Sequence, residues 1–161
     1  MHVTRNLSTI ALAMVSLSLT LPVLGDDAAS TSPLRETKEK EAPLAVEGLD
    51  VTTYFDDGGP VEGKPSITVE WNNKVWRFVS KANSRQFLKN PMRYAPRFDG
   101  YCCESLSRGK LVKGDARVFR IVDDRLYLFH DHDRKRMWSK DLPKSKTRSE
   151  DHYLRIFSVD F

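Results

Sequence analysis

Apolar and polar residues alternate most regularly over Ile67–Trp71, where Ile67, Val69 and Trp71 interleave with Thr68 and Glu70. This is the period of a strand with one buried face. Asn72-Asn73 follows, and asparagine tolerates the left-handed backbone of a two-residue hairpin turn. The turn sets Trp71 opposite Lys74, Val69 opposite Trp76 and Ile67 opposite Phe78, which collects Ile67, Val69, Trp76 and Phe78 on one face. Ser80 then suits a helix N-cap, with Phe87-Leu88 as the apolar edge of that helix. Asn90-Pro91 restarts the chain with a cap and a proline at the first helical position. Met92, Tyr94 and Pro96 are expected to close over the hairpin.

The pattern recurs in Val118–Phe129, a second hairpin around Asp123-Asp124. Its register pairs Ile121 with Leu126 and Phe119 with Leu128 on a fully apolar face. Val118, Arg120, Val122, Arg125, Tyr127 and Phe129 make a second face that reads as half-exposed. Leu44–Phe55 reads as a short extended piece with a turn of helix, and Asp56–Pro65 as a loop. Arg97–Asp115 is punctuated by Gly100, Gly109 and Gly114, with a short element starting at Tyr101 or Cys102. Asp131–Asp141 predicts a helix in which Arg134 stacks on Trp138 at i,i+4 spacing. Pro143–Glu150 reads as a basic connector, and His152–Phe161 has the composition of an edge strand. Beyond the use of two hairpins, no internal repeat is visible. The expected fold is α+β: a small single domain of two β-hairpins packed with short helices.

Targeting signals change the picture at the N-terminus. Arg5 precedes an uncharged apolar run, Ile10–Leu21, and Val23-Leu24-Gly25 gives a cleavable end. Residues 1–25 therefore read as a signal peptide, with an uncleaved anchor as the alternative, and the expected location is periplasmic or extracellular. Residues 26–43 are polar and charged, the composition of a disordered leader. The chain of 161 residues carries 26 Lys+Arg and 22 Asp+Glu. Removing Arg5 with the leader peptide leaves 25 against 22, a mild excess with both signs interspersed. That balance gives no strong nucleic-acid signal and no membrane span once the signal is cleaved. Arg134-Lys135-Arg136 and the basic tail Lys144–Arg148 read as solvated faces, with an anionic partner as the sharper alternative.

Only two cysteines are present, Cys102 and Cys103, and they are adjacent, so no disulfide framework exists. The plainer account makes Cys102 a buried small apolar residue and Cys103 incidental. As a thiolate pair, joined by His130 and His132 two residues apart at a strand end, they form a candidate copper or zinc site. Asp131 or Asp133 capping the next helix is the plainer account of that His-Asp-His segment. A Cys–His nucleophile oriented by Glu104 is the remaining alternative.

Residues spread from 44 to 142 resemble the YHS-domain family, in particular its small exported members. The matching segments are Ala45–Asp50 with Thr53-Tyr54-Phe55, Val61-x-Gly63, Val69-Glu70-Trp71, Trp76-x-Phe78 with Ser80 and Phe87, and Asn90-Pro91 with Tyr94-Ala95-Pro96. Gly100-Tyr101-Cys102, Lys113-Gly114-Asp115, the Val122–Leu128 segment, Trp138 and Lys140-Asp141 extend the match. The resemblance implies residues 44–142 as a YHS-like domain, with residues 143–161 outside it. In better-known members a Tyr-His strand motif and two helix-proximal cysteines imply metal binding. Here those positions hold Asn72, Val79 and Asn83, so that metal site is not carried over; the expected function is a non-catalytic binding module without a cofactor, with the copper or zinc site of Cys102, Cys103, His130 and His132 as the alternative. A soft ion finds poor ligands in valine and amides.

Overall fold

Two tight turns set the first level of order. Asn72-Asn73 (φ 51° and 56°) and Asp123-Asp124 (φ 51° and 56°) both take the left-handed conformation, whose twist matches that of the flanking strands. The computed structural model describes residues 42–158; the expected signal segment 1–25 and all but the last two residues of the leader lie outside the described residues. The first turn joins β1 (Lys64–Trp71) to β2 (Lys74–Phe78), and the second joins β3 (Asp115–Val122) to β4 (Arg125–Phe129). Each hairpin is a two-stranded antiparallel sheet. Around them stand α1 (Lys81–Lys89), α2 (Pro91–Tyr94), α3 (Cys103–Leu106), α4 (His132–Ser139) and α5 (Leu142–Phe157). This is the expected small α+β domain.

Most of the expected pairing is present. Trp71 opposes Lys74, Val69 opposes Trp76, Ile121 opposes Leu126 and Phe119 opposes Leu128. Ile67 does not oppose Phe78. A bulge between Lys64 and Thr68 makes Lys64 the partner of Phe78, and the same irregularity sets Asp115 opposite Phe129. The cause lies just upstream. A Cβ on Gly63 would stand 2.5 Å from the Arg77 carbonyl carbon, so the chain enters the hairpin in close backbone contact that a regular ladder cannot reach.

The two halves of the domain repeat each other, which the sequence reading did not detect. Gly63 and Gly114, the two turns, Phe78 and Phe129, the N-caps Ser80 and Asp131, Phe87 and Trp138, and the caps Asn90 and Asp141 are all 51 positions apart. Upstream, Gly48 and Gly100 end two left-handed runs, Val46–Gly48 (φ 40°, 57° and 85°) and Phe98–Gly100 (φ 56°, 55° and 86°). Gly63 N–H donates to Gly48 O at 2.9 Å, and Gly114 N–H to Gly100 O at 3.0 Å. Ring geometry repeats as well. Trp76 and Phe78 lie 4.9 and 5.3 Å from Phe87, while Tyr127 and Phe129 lie 5.0 and 5.3 Å from Trp138.

The repeats stack in series, and this explains the second hairpin. The inner face of unit one, with Trp76, Phe78, Phe87, Val51 and Tyr54, is covered by Leu126, Leu128, Phe119 and Ile121 from the outer face of unit two. The matching outer face of unit one carries Val75, Arg77, Thr68 and Glu70, since no third unit precedes it among the described residues. Unit two's inner face was expected half-exposed. Instead Val118, Tyr127 and Phe129 are buried with Cys102, Cys103, Leu106 and Trp138 in a second core.

What covers that second core is α5, where a connector and edge strand were expected. Asp141 accepts the Lys144 N–H as N-cap, and Pro143 sits in the first turn, where a proline starts a helix instead of breaking it. Leu142 and Tyr153 pack on the second core. Ser149, fully buried, accepts from Trp138 Nε1 at 3.2 Å and donates to the Cys103 carbonyl at 2.8 Å. Terminal capping of this kind is what a stacked array requires.

Candidate functional site

The junction of the two units leaves a cleft of about 600 Å3, within the size range of small-molecule sites. Its floor is apolar: Ala45, Trp76, Phe98 and Leu128 are all buried. Trp71 and Tyr153 form walls. Three large apolar side chains at its edge are open to water: Leu44 at 40 %, Met92 at 60 % and Leu154 at 55 % of full exposure. Met92 was expected to close over the first hairpin; Tyr94 does so, and Met92 does not.

Both left-handed runs border the cleft, through Val46 and through Phe98–Gly100. A β-branched or aromatic residue at positive φ is strained backbone, which concentrates where a surface must be held in one shape. Three ion pairs bind the rim together. Lys74 pairs with Asp99 between units, Lys113 with Glu47 at 3.5 Å between units, and Arg97 with Glu150 of α5 at 2.8 Å. The rim charges are thus mutually satisfied. Beside these paired charges the lining offers apolar and aromatic surface and the amide of Asn72, and Tyr153 carries a phenol whose pKa is raised chiefly by burial.

The position at which the resemblance would place a metal ligand, Asn83, has a different task here. Asn83 Nδ2 donates to Asp50 Oδ2 at 3.0 Å and lies 2.9 Å from Thr52 Oγ1. Asp50, fully buried, also accepts the Val79 N–H at 2.8 Å and, through Oδ1, the Thr52 N–H at 3.0 Å and the Thr52 hydroxyl at 2.7 Å. The carboxylate therefore ties the segment after the left-handed run to the end of β2 and the start of α1. In unit two Arg134 replaces Asn83. It bonds Asp131 at 2.6 Å and Ser105 at 3.1 Å, and stands 3.6 Å from Glu104. This engagement, not the expected stacking on Trp138, fixes its guanidinium.

Cys102 and Cys103 are both fully buried free thiols in the second core. Burial, reinforced by the neighbouring Cys102, pushes the Cys103 thiol far above the ordinary range. His130 and His132 are exposed, His130 Nδ1 lying 3.3 Å from the Lys113 carbonyl oxygen. Asp131 is the N-cap of α4, accepting from Arg134 N at 2.7 Å. Among the described residues no group of three or more His, Cys, Asp or Glu is arranged to hold a metal ion.

None of the candidate site residues read from sequence lines the cleft. The usable signal was the repeated Val46-Glu47-Gly48-Leu49 and Phe98-Asp99-Gly100-Tyr101, which bracket it. Comparison of the chain with models of known protein families, with curated proteins and with solved structures finds no match.

Proposed function

We propose that this chain is an exported, non-catalytic binding module of YHS type that holds a small apolar or aromatic ligand in the cleft between its two units. The observation that carries the reading is the cleft itself, a site-sized hollow with an apolar floor and a rim whose charges already pair with one another. Support for the YHS assignment is the order and spacing of the motifs quoted above. Support for a module without the family's metal site is Asn83, which is spent on Asp50 and Thr52.

The test uses the uncharged dye N-phenyl-1-naphthylamine as an apolar aromatic probe. Trp71 and Trp76 line the cleft, whereas Trp138 belongs to the other core. Saturable 1:1 binding is expected, with energy transfer from the cleft indoles that falls in Trp71→Phe. Leu154→Glu, which places a charge on the cleft edge, is expected to weaken binding at least tenfold with the fold intact by circular dichroism. Non-saturable binding, or binding unchanged in Leu154→Glu, refutes the reading.

A further inference from the structure

Between Glu70 and Asp99 the chain carries seven basic residues and no acidic one. Seven of its 26 Lys+Arg and none of its 22 Asp+Glu thus fall in residues 71–98, leaving 19 against 22 elsewhere. Three of the seven are neutralised: Lys74 by Asp99, Arg93 by Asp124 and Arg97 by Glu150. Arg77 lies against the Gly48 backbone. The remaining three, Lys81, Arg85 and Lys89, stand four residues apart along α1, exposed and without a carboxylate partner among the described residues. Like charges at i,i+4 oppose one another and destabilise a helix.

The repeat supplies an internal control. At the equivalent positions of unit two, α4 carries Asp133 where α1 has Ala82, and Asp133 pairs with Arg136, the counterpart of Arg85, at 2.7 Å. Ser139 stands where α1 has Leu88. The counterpart of Arg85 is thus paired and the counterpart of Leu88 polar in unit two; α4 is basic as well, but its Arg134 is held by Asp131 and Glu104 and its Lys135 lies over the Phe119 ring, whereas the three cations of α1 have no such partners among the described residues. Leu88, 54 % exposed, shares the outward face with Lys81 and Arg85, and Met92, 60 % exposed, follows just beyond the helix.

We propose that this face of α1 docks the domain on an anionic phospholipid surface, with Lys81, Arg85 and Lys89 at the headgroups and Leu88 entering the interface. Charge complementarity calls for an anionic partner. Leu88 and Met92 favour lipid over a nucleic acid, because an aliphatic side chain finds apolar surroundings at the acyl boundary and neither stacks on a base nor hydrogen-bonds to one. Peripheral adsorption needs no spanning helix, and no described helix is long and apolar enough to cross a membrane.

The experiment is co-sedimentation of the full chain with phosphatidylcholine vesicles, with and without 30 % phosphatidylglycerol. The readout is the ratio of the two affinities, which removes any binding common to both. Each cation near an anionic leaflet strengthens adsorption about fivefold, so Lys81→Ala/Arg85→Ala/Lys89→Ala is expected to lower the ratio on the order of a hundredfold. Ala82→Asp/Leu88→Ser, which gives α1 the character of α4, is expected to lower it at least tenfold, and Lys144→Ala/Arg148→Ala in α5 to leave it nearly unchanged. An unchanged ratio in the first two variants overturns the proposal. So does binding of a short DNA duplex as tight as binding of anionic vesicles, if it is lost in the Ala triple variant and insensitive to Leu88→Ser.

Discussion

Asp50→Asn probes the buried carboxylate that ties unit one together. The carboxylate receives four hydrogen bonds, two on each oxygen. An amide can accept on one side only. If its nitrogen replaces Oδ2, Asn83 can flip to offer its oxygen, yet the Val79 N–H is left facing a donor. If it replaces Oδ1, the Thr52 hydroxyl can rotate to accept, yet the Thr52 N–H is orphaned. Either orientation strands one backbone donor, at a cost of about 1–3 kcal/mol, and the surviving bonds lose their charge assistance. The expected loss is about 2–4 kcal/mol, or roughly 10 °C in Tm for a domain of this size. Thermal unfolding followed by far-ultraviolet circular dichroism measures it. Hydrogen exchange should quicken first at Thr52 or Val79. A Tm within a degree or two of the parent chain, with both amides still protected, refutes the view that this carboxylate organises unit one.

Gly63→Ala and Gly114→Ala should each cost about 3 kcal/mol or more, because the new methyl would meet backbone or a buried Cβ at 2.5–2.8 Å; Gly58→Ala, with nothing within 4 Å, is the near-neutral control in the same urea titrations. Ser149→Ala should cost about 1–3 kcal/mol by stranding the Trp138 indole N–H, and chemical denaturation with tryptophan fluorescence reports both the loss and the changed Trp138 environment. Both thiols should be silent to an aromatic disulfide reagent at pH 8 until denaturant is added, since burial holds Cys103 protonated. A stoichiometric copper or zinc ion that vanishes with Cys102→Ala or Cys103→Ala would assign the pair to metal handling instead. The Asp131 carboxyl is held below its ordinary 3.8, first by the Arg134 backbone N–H and also by its guanidinium. A lowered folded pKa gives stability that is present above the unfolded value and lost as pH falls through the folded one. Asp131→Asn should therefore flatten the acid limb of the stability curve below about pH 4.

What the sequence disclosed was local chemistry. Both turns, the caps Ser80, Asn90 and Asp131, the inner face of the first hairpin and the outer face of the second follow from residues close together in the chain. The bulge at Lys64–Thr68 escaped because it depends on Gly63 touching Arg77 in a strand not yet formed. The repeat escaped because its two copies conserve roles more than letters: serine and aspartate as caps, asparagine and aspartate pairs as turns, phenylalanine and tryptophan as the ring under each hairpin. α5 escaped because Pro143 reads as a breaker until Asp141 is recognised as the counterpart of Asn90. The cleft needs both units and α5 together, so no single stretch of sequence could announce it.

Stacking two copies of one unit makes their faces inequivalent, and that inequivalence supplies the surfaces a function needs. The second hairpin buries side chains on both sides, Leu126 and Leu128 against unit one and Val118, Tyr127 and Phe129 in the second core. The first carries Thr68, Glu70 and Arg77 on its outer face, with Thr68 and Glu70 exposed. Helix α4 balances Arg136 with Asp133, whereas α1 leaves Arg85 unbalanced and Leu88 exposed. The left-handed runs, alike in φ to within about 16° at every position, both border the cleft. A unit whose outer face must bury a neighbour keeps its polar chemistry for its ends and junctions. Ligand binding at the junction and surface contact at α1 are therefore separable, and substitutions at Leu154 and at Lys81 should affect one without the other.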